Sequence, residues 1–387
     1  MDEIGNMEIP NSKFFLWHTY FHDVFSRPSK EGFDIVIGNP PYVVVNKCDY
    51  PQFEWNTDLY KMFYEIAIKS LMTKKGYLCY ITPKFWMLNL EDEKIRTAFE
   101  KQLFVHFVAF CNPFESVVTE NTIILLSNIN IKKEEIDLYK YDEEIKIFQR
   151  LLPLNLVYCS TNLHKEWTTG VDTGLIKILT KMSCETTLKD ITISTRGAEV
   201  SEKVLRETKT GIPSLIGQDM KKYSISWNNT FMDVSHKEYK RLMSFFDSNM
   251  IYLRRVDTQL EAAISDSMFA FSKNVYGIKI DEIKGFSTKY VLALINSRAL
   301  NFYYKTKFST KKEDVFPEIQ TYLYEQLPIP MASKQQQEDI ALIVNKIIAL
   351  KQMDTNSDVS LLESQINNYV YELFGLNEDE IKIVEGE

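Results

Sequence analysis

The chain has 387 residues, of which 45% are hydrophobic and 25% charged, with 24 Phe and 21 Tyr. This composition excludes a largely disordered protein, and the length suits two domains of roughly 150 to 200 residues, each with its own core. The formal charge of -8 disfavours a uniformly basic nucleic-acid binder, but Glu378, Asp379, Glu380, Glu385 and Glu387 against Lys382 supply half of it at the C-terminus, so a locally basic surface elsewhere stays open.

The opening "MDEIGNMEIP" has neither a basic nor an apolar leader region, and no run of 18 apolar residues occurs. Cys48, Cys79, Cys111, Cys159 and Cys184 are odd in number and never spaced as C-x-x-C, which favours neither a disulfide framework nor a zinc knuckle. A reducing, cytoplasmic setting without membrane attachment is the expectation. His18 and His22 stand at i, i+4 beside Trp17 and Phe21. Without a third ligand they are expected to pack rather than to hold a metal.

In chain order, "FDIVIG" (Phe33 to Gly38) is nearly continuous in apolar residues, as in a parallel strand covered on both faces. After a loop from Asn46 to Asn56, Leu59, Met62, Phe63, Ile66 and Leu71 fall near helical spacing, with Thr57 or Asp58 as a cap and Gly76 as a stop. "YLCYIT" (Tyr77 to Thr82) reads as a strand, Glu91 to Gln102 as a helix, and Phe104 to Phe110 and Asn121 to Asn128 as two further strands. Alternating strands and helices predict an open α/β sheet, and such sheets bind ligands beyond the carboxyl ends of their strands. From about residue 150 the alternation gives way to short strand-like pieces such as "LKDITIST" and "SISW". Two amphipathic helices follow, one with Ile340, Ile343, Val344, Ile347 and Ile348 on a face and one from Leu361 to Phe374. The predicted division is 1–150 and 151–387.

At the tip of the first strand stands "NPPY", Asn39 to Tyr42. Proline fixes φ and lacks an N–H, and Pro41 forces Pro40 to be extended, so the corner is stiff and offers acceptors without competing donors. Asn39 adds a side-chain carbonyl and Tyr42 a flat amphipathic ring. Such a corner suits a planar substrate with an amino group: the Asn39 side chain and the Pro40 carbonyl accept the amine protons, freeing its delocalised lone pair, while Tyr42 stacks on the base. Taken alone, the tripeptide is equally well a strand-ending turn.

In its context, F-D-x-V-x-x-N-P-P-Y (Phe33 to Tyr42) resembles motif IV of the gamma-class adenine-N6 DNA methyltransferases, in particular the TaqI-like and type IIG restriction-modification enzymes. The lead-in with Trp17, Phe21, Val24 and Phe25 is similar to theirs, as are "LYKMFYEIAIKSLMTKKGYLCYITPKFWML" and "FESVVTENTIILL". The resemblance implies an S-adenosylmethionine site touched by Asp34, Asn39 and Phe63. It also implies a target adenine stacked between Tyr42 and Phe114. It makes residues 1–150 the C-terminal part of a Rossmann-like methyltransferase domain and 151–387 an α+β target-recognition domain with C-terminal helices.

Double-stranded DNA is the implied partner, and "NFYYKTKFSTKK" (Asn301 to Lys312) interleaves aromatics with lysines and carries no acid. Lys305, Lys307, Lys311 and Lys312, with Arg254 and Arg255, are the candidates for phosphate contact. The alternative is a solvated face with its aromatics turned inward. The family's donor cradle, a glycine-rich F-x-G-x-G loop and an acid on the next strand, precedes NPPY, and no G-x-G occurs in this chain. The expectation is a fragment or a split subunit whose donor-binding half lies elsewhere. The competing possibilities are a non-catalytic DNA-binding specificity module and an α/β protein acting on small amino-bearing aromatics.

Overall fold

The computed structural model describes residues 17–28, 30–101, 104–111, 121–128, 135–142, 145–155, 159, 166–169, 171, 173–257, 259–308 and 318–386. The chain forms two compact units, Met1–Gly170 and Val171–Glu387. The division falls later than the change of sequence pattern near residue 150, because the strands flanking that point still pair within the first sheet.

The first unit is built on one sheet. Its strands are β1 (Phe33–Gly38), β2 (Met72–Pro83), β3 (Phe104–Cys111), β4 (Asn121–Ser127), β5 (Glu135–Asp142), β6 (Ile147–Arg150) and β7 (Leu154–Asn155), in the order β1-β2-β4-β3-β5-β6 with β7 also pairing β5. β1 runs parallel to β2 and β3 parallel to β5, while β4 lies antiparallel to both β2 and β3. Two short helices, α1 (Trp17–Tyr20) and α2 (His22–Phe25), gather rings around the start of β1: Phe21 and Phe25 meet Phe33 edge-on at 5.2 and 5.4 Å. His18 packs on Phe25 at 4.1 Å.

Helices α3 (Leu59–Ile66) and α4 (Glu93–Lys101) cover one face of the sheet, where Tyr64 meets Tyr80 and Phe99 at 5.1 Å each and Trp86 meets Phe99 at 5.2 Å. On that face Leu78, Tyr80, Ile124 and Leu126 are buried. The opposite face is barer: Ile35 and Ile37 are 66% and 76% exposed, Tyr77 is exposed, and Cys79, Ile123 and Leu125 are only half-buried. This corrects the expectation of a β1 covered on both sides. Among the described residues β1 is also an edge strand, with β2 as its single neighbour.

A second correction concerns Gly76. The helix ends at Leu71 after a π-helical turn from Ala67, and Gly76 lies inside β2. A Cβ there would sit 2.5 Å from Met72 and 3.0 Å from the Phe33 carbonyl, so the glycine admits β1 at an irregularity in the β1–β2 register instead of ending a helix.

The second unit holds a four-stranded antiparallel sheet of β8 (Thr192–Arg196), β13 (Met250–Arg254), β14 (Ala262–Ser265) and β16 (Val275–Ile280), in the order β14-β13-β16-β8. Beside it lie a three-stranded sheet of β9 (Ile212–Leu215), β12 (Phe231–Met232) and β15 (Ala270–Phe271), and a hairpin of β10 (Met220–Lys221) and β11 (Ser224–Ile225). Tyr252, Phe271, Leu215 and Met250 are among the buried residues that form its core. Helices Thr288–Asn296 and Arg298–Phe308 are tied to the sheet through buried amides. The Asn296 side chain exchanges both hydrogen bonds with Ala262 at 2.9 Å, and Asn301 accepts from Leu260 N at 2.7 Å. Helices Lys334–Met353 and Ser360–Phe374 follow, the first opened by a Ser333–Gln336 capping box and the second closed by Gly375 in the left-handed region. Among the described residues no helix is long and apolar enough to cross a membrane.

Candidate functional site

β1 ends at Gly38, opposite Tyr80 of β2, and the chain turns through Asn39, Pro40, Pro41 and Tyr42 at the carboxyl end of the sheet. Asn39 and Pro41 are exposed, Pro40 is buried and Tyr42 is half-buried. The Tyr42 hydroxyl donates to the Ile81 carbonyl at 3.1 Å, and its ring stands edge-on to Tyr60 at 6.4 Å and 79°. Burial, with Cys111 nearby, pushes the phenol up to about 12, so it keeps its proton and its hydrogen bond at neutral pH. The stiffness expected from the two prolines is thus joined to a tether at the end of the corner.

Beyond Tyr42 the chain pairs with the entry to α3. Val45 N donates to Thr57 O at 3.1 Å, Leu59 N donates to Val43 O at 2.9 Å, and Val44 bridges Asp58. The loop between these pairs is closed at its base and braced inside: Glu65 accepts from the amides of Glu54 and Trp55 at 2.9 and 3.1 Å, and Lys69 pairs with both acids.

Under the base lies a buried charge cluster. The Lys61 ammonium contacts Asp92 at 2.6 Å, Asp58 at 2.8 Å and the Thr57 hydroxyl at 2.9 Å, with the Lys61 and Asp92 side chains 3% and 5% exposed. Burial raises the Asp92 carboxyl although Lys61 works against it. Asp58 belongs both to this cluster and to the bridge with Val44, so the cluster fixes the strand that leaves the corner. The i, i+3 spacing of Asp58 and Lys61 was available in the sequence, whereas Asp92 enters only through folding.

The other expected site residues fall in different places. Phe63 projects from α3 with 39% exposure. Asp34 lies near the opposite end of β1 from Asn39, about 16 Å away at strand rise. Its carboxylate is paired with Lys30 at 2.6 Å and Arg27 at 3.3 Å, which lower its pKa, the Lys30 hydrogen bond most. Its carboxylate is thus engaged within the turn that precedes β1. Phe114, Lys311 and Lys312 lie outside the described residues.

In the second unit, Arg254 is paired with Asp257 at 3.1 Å and Glu261 at 3.5 Å but reaches the surface. Arg255 is buried against Glu318. Lys305 is exposed, whereas Lys307 is buried, donating to the Tyr303 hydroxyl at 2.9 Å and lying over the Tyr303 and Phe308 rings. The charged ends of Arg255 and Lys307 are thus engaged inside the unit. Among the described residues no group of three His, Cys, Asp or Glu could hold a metal.

Comparison with known proteins accords with this layout. Residues 3–115 match the Eco57I restriction-modification methylase family, and residues 212–329 match the TaqI-like C-terminal specificity domain. The chain thus carries a segment similar to that methylase family, followed by a segment similar to that specificity domain. Among individual proteins, RM.MjaORFECS2P of Methanocaldococcus jannaschii, a type II restriction enzyme and methyltransferase by its name, is 22% identical over 95% of this chain and 33% of its own length. The type IIL restriction-modification enzyme MmeI, solved in complex with DNA, shares the fold with a TM-score of 0.51 at 10% identity, over 91% of this chain and 56% of that one. The type IIG restriction endonuclease BpuSI gives a TM-score of 0.34 at 11% identity, over 88% of this chain and 54% of that one. The chain thus spans about a third of the length of the curated relative and about half of the two solved chains.

Proposed function

We propose that this chain is the catalytic-corner and target-recognition portion of a restriction-modification DNA methyltransferase that modifies the exocyclic amine of adenine. The observation that carries this reading is the tethered Asn39–Tyr42 corner at the carboxyl end of the sheet, in a chain whose later residues match a specificity domain. A flipped base meeting this corner presents its amino group to the Asn39 side chain and the Pro40 carbonyl. Acceptance of the amine protons pyramidalises the nitrogen and localises its lone pair, while Tyr42, held by Ile81, supplies the stacking face. Extrusion of a base costs a few kcal/mol, and contacts from the second unit to duplex DNA offset it.

S-adenosylmethionine supplies the transferable methyl group in this reading. Only one side of a donor site is furnished by the described residues: Asn39 and Phe63 are exposed, whereas Asp34 is engaged by Arg27 and Lys30 and no G-x-G loop occurs. We therefore assign the remainder of the donor site to a further polypeptide or to a longer form of this chain, in a cytoplasmic assembly. The bare apolar face at Ile35 and Ile37, on an edge strand, supports such a partner, because an α/β sheet is normally covered on both faces. The engaged state of Asp34 favours the second reading, a specificity module that binds DNA without catalysis.

Calorimetric titration of S-adenosylmethionine separates the two. The chain is titrated alone and then mixed with the product of the adjoining upstream reading frame. Donor binding in the mixture is the expected result. Duplex binding without donor binding in either sample overturns the catalytic reading in favour of the specificity module.

A further inference from the structure

With Arg255 and Lys307 engaged inside the second unit, cations that can meet a phosphate must be sought elsewhere in it. A cleft of about 580 Å³ opens between the β10–β11 hairpin and the turn joining helices Lys334–Met353 and Ser360–Phe374. Four cations line it, Lys221, Lys222, Arg254 and Lys351. Lys221 is exposed and Lys222 half-buried, and among the described residues neither makes an ion pair. The hairpin that carries them is firmly rooted: Tyr223, next in sequence, is buried, has φ 61°, and donates its amide to Ala262 O at 2.9 Å.

The opposite wall is polar and equally fixed. The Lys351 ammonium donates to the carbonyls of Thr355 and Ser357 at 3.2 and 2.8 Å, folding the turn back on its own helix and leaving Thr355 and Asn356 along the cleft. Three acids also line the space. Glu261 is taken up by Arg254, Asp358 accepts from Ser360 N at 3.0 Å, and Glu363 has no such partner among the described residues. Two lysines that make no ion pair among the described residues, on one wall, and a hydroxyl and an amide on the other form the donor set that a phosphodiester strand requires: point charges to neutralise it and short polar groups to fix its register.

We propose that this cleft takes a phosphate backbone strand of duplex DNA, with Lys221 and Lys222 neutralising its phosphates and Thr355 and Asn356 donating to it. The inference rests on the DNA-binding reading above and extends the contact surface from the specificity-domain match at 212–329 into the turn at 354–359.

The test is fluorescence anisotropy of a labelled duplex titrated with the full chain across a series of salt concentrations. It compares the unaltered chain, a Lys221→Gln/Lys222→Gln variant and a Lys284→Gln control on an exposed turn outside the cleft. The expected result is a salt slope shallower by about 2 for the double variant, with roughly tenfold weaker binding at low salt, and no change for the control. Unchanged slope and affinity in the double variant overturn the cleft while leaving the DNA-binding reading intact. Absence of duplex binding by the unaltered chain overturns both. Far-ultraviolet circular dichroism verifies that the double variant is folded, as expected for side chains at the mouth of a hairpin.

Discussion

The hydroxyl of Tyr42 donates to the main-chain carbonyl of Ile81 at 3.1 Å, fastening the end of the proline corner to the strand beside it. The bond separates two roles of one side chain. Tyr42→Phe keeps the ring and loses the tether, so stability falls by about 1 kcal/mol and methyl transfer in the reconstituted enzyme falls only about threefold. Tyr42→Ala removes a stacking face of about 1 to 3 kcal/mol, and transfer falls by about 5- to 150-fold while duplex affinity stays within about twofold. Single-turnover transfer and anisotropy on the same samples check this, and parallel loss of both properties in the alanine variant counts against the stacking role.

Lys61 is a buried cation held between Asp92 and Asp58. Lys61→Met leaves two carboxylates beneath the corner without their counter-charge, and a cost of about 3 to 5 kcal/mol is expected for the first unit. Adding Asp92→Asn recovers part of that loss. Trp17, Trp55, Trp86 and Trp167 lie in the first unit and only Trp227 in the second, so denaturant unfolding followed by tryptophan emission reports chiefly on the unit concerned. A midpoint unmoved by Lys61→Met contradicts a structural role for the cluster.

Ile37 is 76% exposed on the bare face of the sheet. Ile37→Lys is expected to change stability by no more than about 0.5 kcal/mol, because the side chain has little packing to lose. The same substitution raises the solubility of the isolated chain and weakens its association with a donor-binding partner, as read by sedimentation. A large loss of stability instead means that this face is packed within the chain.

Lys305 and Lys307 are two positions apart and differ in surroundings. Lys307→Met removes a buried ammonium that lies over the Tyr303 and Phe308 rings, and an effect of about 1 to 3 kcal/mol on stability is expected without a change in the salt slope of DNA binding. Lys305→Gln leaves stability unchanged and lowers the slope by about 1 if that helix face meets DNA. Thermal melts and salt titrations of both variants decide, and a slope change confined to Lys307→Met contradicts the assignment.

Much of the first sheet was legible in the sequence because its signals are local. The apolar run at Phe33 to Gly38, the helical spacing from Leu59 to Leu71, and the stop imposed by Asn39 to Pro41 all depend on near neighbours. Coverage of β1 was not legible: Ile35 and Ile37 are as apolar as core residues, and only the fold shows that nothing described covers them. Gly76 misled for a similar reason, since a glycine between a helix and a strand pattern marks a helix end as readily as a close strand approach. In the second unit, lysine density drew attention to the Asn301–Lys312 segment but could not show that Lys307 turns inward onto its own helix. Nor could it show that Lys221 and Lys222 share a cleft with Lys351, which is distant in sequence. The paired state of Asp34 needed Arg27 and Lys30 to be brought alongside it by the turn before β1.

The central claim is that this corner presents an adenine amine for methylation. Its most direct measurement is nucleoside mass spectrometry of duplex DNA incubated with S-adenosylmethionine and the chain together with its donor-binding partner. The predicted result is N6-methyladenine whose rate of formation falls at least about fivefold with Tyr42→Ala. Methyl groups found on cytosine instead, or N6-methyladenine that persists undiminished in the Tyr42→Ala variant, would contradict it.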